Sequence, residues 1–188
     1  MFLEPTRFDM EWSSTSNEPP LQNRARAMEE IYPNTIDKCP YDMPEPHGEE
    51  VSINIFVDAD HAGNKVTHRP DTGIVTYYNI VPIMWYSKCQ NMVETSIFGS
   101  KFIVLKIATE LNELLVYKLR MFGVVISGPS CVMYNNDAMV KSSSFIESTL
   151  KKKHCSIAFH KIYKSVVAEK LPIYYEKMGS NLADLLIK

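Results

Sequence analysis

The segment Ser52-Ile53-Asn54-Ile55-Phe56-Val57-Asp58 constrains the fold more than any other in the chain. Ile53, Ile55 and Val57 alternate with Asn54 and Phe56, the two-residue period of a strand with one buried face. Asp58-Ala59-Asp60-His61-Ala62-Gly63 follows at once. Asp is poorly placed inside a strand, so acids at this point indicate either a turn or a ligand set for a hard cation. A run this apolar needs partner strands and a covering layer, which implies a real core.

The composition agrees. Hydrophobic residues make up 45% of the 188 and aromatics 11%, values of a folded chain rather than a disordered one. No apolar run reaches the length of a membrane span, and the N-terminus has no basic-then-apolar leader pattern. Cys39, Cys89, Cys131 and Cys155 are widely spaced and form no C-x-x-C pair, which predicts reduced thiols in an intracellular protein. Residues 1–50 hold 11 Asp/Glu and 4 Lys/Arg, a net of −7, whereas residues 51–188 hold 11 and 16, a net of +5. A basic body behind an acidic head suits a partner of negative charge, and equally an ordinary surface behind an acidic linker.

The prolines divide the chain. Seven of the 11 lie in residues 1–50, which read as linker with two helical turns over 24–31. From residue 51 onward three strands are expected at 52–58, 73–81 and 82–87. Asp71-Thr72-Gly73 is read as a turn and Pro82 as the break between the second and third. Phe98, Phe102, Leu105, Ala108, Leu111, Leu115, Leu119 and Phe122 recur at spacings of three and four, predicting a helix over 97–122 closed by Gly123. A strand at 130–134, helices at about 137–150 and 155–169, a strand at 171–175 and a helix at 182–187 capped by Ser180-Asn181 complete the order βββαβααβα. This predicts one α/β domain over 51–188.

The succession resembles ribonuclease H, and most closely the ribonuclease H domain that ends copia-type retrotransposon polyproteins. The carriers are Val57-Asp58-Ala59-Asp60-His61-Ala62-Gly63, Arg69-Pro70-Asp71-Thr72-Gly73, Pro82-Ile83-Met84-Trp85-Tyr86-Ser87-Lys88 and Val93-Glu94-Thr95-Ser96. Lys152-Lys153-His154 with Phe159-His160, and Asn181-Leu182-Ala183-Asp184-Leu185-Leu186-Ile187-Lys188, complete the set. The resemblance covers about residues 51–188. Residues 1–50 are more weakly similar to the segment joining polymerase to this domain, so that Met1 falls in what looks like the middle of a polyprotein.

The resemblance implies a ribonuclease H-like fold: a mixed five-stranded sheet, three antiparallel strands then two parallel, flanked by helices. It implies hydrolysis of RNA in RNA–DNA hybrids with two Mg²⁺ ions ~3.5–4 Å apart. Such ions need several hard oxygen ligands, and the family supplies four carboxylates. Asp58 matches the first and Asp184 the last. Lys101 stands at the position of the second and Asn135 at that of the third. His160 matches a family histidine near the product phosphate, and on residue type alone reads as a half-buried helix histidine.

Lys101 can also be read without the family. With Phe98 at 0° and 100° per residue, the apolar stripe runs from about 220° through 0° to about 40°, and Lys101 falls at about 300°, inside it. It therefore points at the protein body near the helix start. An ammonium repels a cation, so Lys101 is expected to neutralise Asp58 and Asp184 with a salt bridge, and Mg²⁺ is not expected to bind productively. Glu94 precedes the helix and Glu110 faces away from the stripe, so neither is placed to replace the lost acid. Asp60 reads as a turn residue, His61 and His154 as non-ligands, and Trp85 and Phe56 as core. Lys151-Lys152-Lys153 reads as a solvated face, or as a contact to a phosphate backbone. Three functional readings remain: an inactive remnant of a retrotransposon ribonuclease H domain, a module that still binds nucleic acid or the polymerase portion, and an active hybrid nuclease.

Overall fold

The computed structural model describes residues 41–60, 69–91, 97–144, 156–177 and 179–187. His61, Glu94, Lys151, Lys152, Lys153, His154 and the helix expected at 24–31 lie outside these residues. The elements are β1 (Ile53–Ala59), β2 (Asp71–Tyr78), β3 (Val81–Cys89), α1 (Ile97–Met121), β4 (Cys131–Tyr134), α2 (Asp137–Ser144), α3 (Ser156–Val167), β5 (Ile173–Tyr175) and a 3-10 helix, Leu182–Leu186.

They build one five-stranded sheet in the order β3-β2-β1-β4-β5. β1 pairs antiparallel with β2, and β2 with β3, whereas β4 runs parallel to β1, and β5 to β4. The expected mixed sheet, three antiparallel strands then two parallel, is therefore present. The alternation read in β1 decides which face is covered. Ile53, Ile55 and Val57 are buried and join Phe102, Leu105 and Ala108 of α1 in the core, with Val132 and Tyr134 of β4. Phe102 stacks on Phe159 of α3, ring centroids 6.0 Å apart, and Phe159 stacks on Tyr163 at 5.3 Å. Burying a large aromatic of this kind contributes roughly 1.5–3 kcal/mol.

Two boundaries differ from the sequence expectation. Asp71-Thr72-Gly73 is the start of β2, not a turn, and Pro82 lies inside β3 rather than before it. The turn is at Asn79, which takes a positive φ of 54°. Its side-chain oxygen accepts from Ser52 N at 2.9 Å, and its own N donates to Ser52 O at 2.8 Å. Asn tolerates this backbone region because its amide bonds locally. Pro82 is accommodated because β3 is an edge strand and the register shifts beside it.

Trp85 is the second correction. It is 71% exposed, not core. Through the register it begins a row, Trp85–Val75–Phe56–Met133–Tyr174, on the face opposite α1. Only the inner members of that row are well covered: Val75 and Met133 are buried and Phe56 is half-buried, its ring edge-on to Tyr77 at 5.7 Å.

α1 ends as its sequence predicts. Gly123 takes φ 69°, Gly123 N donates to Arg120 O at 2.9 Å, and Val124 N donates to Leu119 O at 3.0 Å. These two bonds are the Schellman pattern, which satisfies carbonyls left open at a helix end. Residues before β1 pack here too. His47 N donates to Gly123 O at 2.8 Å, and Val51 bridges to Ile126. Among the described residues no helix is long and apolar enough to cross a membrane, and Cys89 and Cys131 are free thiols.

Candidate functional site

β1 and β4 are adjacent and parallel, so their carboxyl ends open at the same side of the sheet, the usual place for a site in such architectures. Val57 pairs with Tyr134, which puts Asp58 beside Asn135. Asn135 Nδ2 donates to Asp58 Oδ2 at 2.9 Å, and Ala59 N donates to Asp58 Oδ1 at 2.7 Å. Lys101, in the first turns of α1, places its Nζ 3.4 Å from Asn135 Oδ1 and 5.9 Å from the centre of the Tyr134 ring. The structure thus joins Lys101, Asn135 and Asp58 in one polar chain. The direct salt bridge expected between Lys101 and Asp58 is not the arrangement found. The Asn135 amide stands between them, its oxygen to the ammonium and its nitrogen to the carboxylate.

Asp58 is 3% exposed. Burial raises its carboxyl above the ordinary value of 3.8, and the charge of Asp184 acts the same way. The Ala59 amide, the Lys101 charge and the Asn135 amide oppose this. The consequence for stability has a definite sign. Between 3.8 and the raised native value the folded state binds more protons than the unfolded one, so stability falls as pH rises through that window and stays reduced above it. Asp58→Asn, which cannot ionise, is therefore expected to lose less Tm than the natural chain as pH rises from 3 to 7, whatever the change costs in its contacts to Ala59 N and Asn135 Nδ2. Thermal unfolding at pH 7 and pH 3 checks this; an equal or larger fall in the variant would contradict it.

Asp184 comes from the 3-10 helix, which packs on the ends of β1 and β2. Asn181 fixes this helix in two ways. Its Oδ1 accepts from Ala183 N at 3.1 Å as an N-cap, and its Nδ2 donates to Val57 O at 2.8 Å. The cap was legible in the sequence; the bond to β1 was not. Gly73 of β2 supplies the space: a Cβ there would lie 2.6 Å from Ala183 O. Ser87 Oγ donates to Leu186 O at 2.9 Å from the other side. Two further residues escaped sequence reasoning. Tyr134 OH donates to Lys101 O at 2.9 Å, and burial, then the Asp58 charge, holds that hydroxyl protonated far above the usual tyrosine range. Gln90 Nε2 donates to Ser100 O at 3.0 Å and Thr72 Oγ1 at 3.2 Å, tying the start of α1 to β2. Buried polar side chains usually have partners, but which partners is a tertiary fact.

The remaining candidates lie apart from this chain. His160 is exposed on α3, not half-buried, with its ring edge-on to Phe159 at 5.6 Å. Glu110 pairs with Lys106 at 3.4 Å on the helix surface. Asp60 N donates to Asp71 O at 3.1 Å, extending the β1–β2 ladder by one residue.

Divalent-metal chemistry can be weighed on the donor set. Both Asp58 oxygens already accept hydrogen bonds, Asn135 offers only a neutral oxygen, and that oxygen faces an ammonium. Among the described residues no three of His, Cys, Asp and Glu come together as ligands. This set does not fit a pair of Mg²⁺ ions, which require several charged oxygens.

The sheet order, with three antiparallel strands then two parallel and helices against it, is a ribonuclease H-like fold. The chain resembles LC11-RNase H1, isolated from compost by a metagenomic approach, with a TM-score of 0.54 and 19% identity over 72% of this chain and 92% of that one. The same enzyme in complex with an RNA/DNA hybrid gives 0.53 and 21%, over 72% and 94%. In sequence the relatives are retrovirus-related Pol polyproteins of Arabidopsis thaliana transposons. The polyprotein of transposon RE1 is 24% identical and that of RE2 25% identical, each over 141 residues and 75% of this chain. The matched region spans about a tenth of those polyproteins, 10% of each. No protein-family model matches the chain.

Proposed function

We propose that this chain is the ribonuclease H-like portion of a transposon Pol polyprotein in which hybrid hydrolysis has been lost. The observation that carries the reading is the chain Lys101–Asn135–Asp58. It puts a fixed positive charge and a neutral amide where the resemblance calls for two carboxylates. A Mg²⁺ ion entering beside Lys101 would meet a like charge; at ~4 Å and an effective dielectric of ~20 each unit of charge product is worth ~4 kcal/mol. Asp58 and Asp184 leave such an ion two carboxylates in place of four, and both Asp58 oxygens already accept hydrogen bonds. The expected result is no hydrolysis of an RNA–DNA hybrid by purified protein at millimolar Mg²⁺, and no change in Tm on adding the metal. Hybrid cleavage that diminished on Asp58→Asn would establish the active-nuclease reading instead.

The +5 net charge of residues 51–188 favours a second reading, in which the domain still binds nucleic acid without cutting it. One fold neighbour is described in complex with an RNA/DNA hybrid, which makes the hybrid the natural probe. Binding through Lys and Arg to phosphates would weaken steeply with salt. A titration with hybrid at 50 and 200 mM salt separates the readings: absence of binding at the lower salt removes the binding module.

A further inference from the structure

α1 carries a second apolar stripe that the core does not use. Leu114 is 51% exposed, Tyr117 50% and Met121 49%. The spacing of three and four puts Leu114, Tyr117 and Met121 on one face, at about 100–160° where Phe98 is 0°, opposite the stripe that meets the sheet. Three large apolar side chains, each about half exposed on one helix face, are more than scattered surface hydrophobics.

The course of the chain indicates what covers them. Going backward from β1, Val51 bridges to Ile126, His47 N bonds Gly123 O, and the carbonyl of Glu45 lies 3.2 Å from the place of a Gly123 Cβ. Met43 and Pro44 then line a cleft with Arg120 and Val124. The segment therefore lies at the C-terminal end of α1, beside Arg120 and the loop after Gly123, within reach of the face that carries Tyr117. Residues 1–40 precede it. Among them, Arg24-Ala25-Arg26-Ala27-Met28-Glu29-Glu30-Ile31-Tyr32 has the composition of a short amphipathic helix, with Ala25, Met28 and Tyr32 at the same three-and-four spacing and Ile31 beside them. Eight residues lie between Tyr32 and Tyr41, and the nine Cα–Cα steps reach ~30 Å when extended, against ~12 Å for the stripe, so the tether suffices. Intramolecular docking over so short a linker corresponds to an effective concentration of about millimolar, enough for a small apolar contact.

We propose that residues 24–32 of the same chain dock on the Leu114–Tyr117–Met121 face of α1. Limited trypsin digestion of the full chain tests this by the rate of cleavage after Arg24 and Arg26, with cleavage after Arg7 as the internal reference. Relative to Arg7, cleavage at Arg24 and Arg26 is expected to be at least tenfold slower in the full chain than in a synthetic peptide of residues 1–40. It should return to the peptide's ratio in Tyr117→Asp and in Met28→Asp, both with far-ultraviolet circular dichroism unchanged. A full-chain ratio equal to that of the peptide overturns the proposal, as does protection that survives Tyr117→Asp. Protection that disappears on dilution, with a dimer in sedimentation that Tyr117→Asp abolishes, overturns it in favour of a second copy on this face.

Discussion

Replacing Lys101→Glu and Asn135→Asp together is expected to create a Mg²⁺ response that is not expected of the natural chain. The two new carboxylates would stand at the start of α1 and the end of β4, next to Asp58, with Asp184 completing four. Without metal the variant should be the weaker fold. Asp58 would lose both its amide donor and the nearest positive charge. Breaking up a buried charge network in this way costs roughly 3–5 kcal/mol, or about 6–20 °C in Tm. Millimolar Mg²⁺ at about a hundred times its dissociation constant would return ~2.7 kcal/mol, some 5–10 °C. The two single variants separate the causes: Lys101→Glu removes the repulsion and adds a ligand, whereas Asn135→Asp adds a ligand but leaves the ammonium in place, so only the first should respond to Mg²⁺ alone. Thermal unfolding with and without Mg²⁺ and Ca²⁺ measures this, and a hybrid-cleavage assay on the double variant follows from it. If Mg²⁺ raised Tm equally in the natural chain and the double variant, the charge at residue 101 would not be what governs the site.

How far this site could be read from sequence depends on which kind of physics placed each residue. Asp58 was legible because strand alternation locates the strand's end. Lys101 was legible as inward-pointing because helical periodicity assigns it an angle, and in the structure it does reach into the site. Neither period says what an inward lysine meets, so the mediation by Asn135 was lost: an amide can serve an acid and a base at once, and only geometry shows it doing so. Gly73 was misread as a turn because glycine's commonest reason is a turn. Its reason here is close approach of the 3-10 helix, a contact between residues more than a hundred apart in sequence. Trp85 was misread as core because size argues for burial, whereas exposure at a sheet edge depends on what lies above the strand. The second stripe on α1 escaped for a related reason: the first stripe already explained the helix, and Leu114, Tyr117 and Met121 were off its arc.

Gly73→Ala is the substitution expected to disturb the site most with the smallest change in chemistry. A Cβ at this position would lie 2.6 Å from Ala183 O, 2.9 Å from Ile187 Cγ2 and 3.2 Å from Leu186 Cβ. The closest of these is a backbone atom, so no side-chain rotation relieves it, and β2 cannot retreat because it is paired on both sides, to β1 and β3. The 3-10 helix must therefore lift. Its other attachments, Ser87 Oγ to Leu186 O and Asn181 Nδ2 to Val57 O, oppose that movement and would be stretched or broken. Overpacking of this kind costs typically 1–3 kcal/mol, and loss of one or two hydrogen bonds about 1 kcal/mol each, which predicts a fall in Tm of roughly 5–15 °C. Ser87→Ala, which removes one bond and adds no bulk, should cost only ~1 kcal/mol. The distinguishing result lies in the site itself. Lifting the helix carries Asp184 away from Asp58 and so removes one of the causes that raise the Asp58 carboxyl. The Asp58 titration, followed by carboxyl-carbon NMR, should move toward lower pH in Gly73→Ala and stay in place in Ser87→Ala. In the background of Lys101→Glu with Asn135→Asp, Gly73→Ala should also abolish the gained Mg²⁺ response, because the fourth carboxylate would no longer be within reach. A Gly73→Ala variant that kept both its Tm and the Mg²⁺ response would mean that the 3-10 helix does not deliver Asp184 to this site.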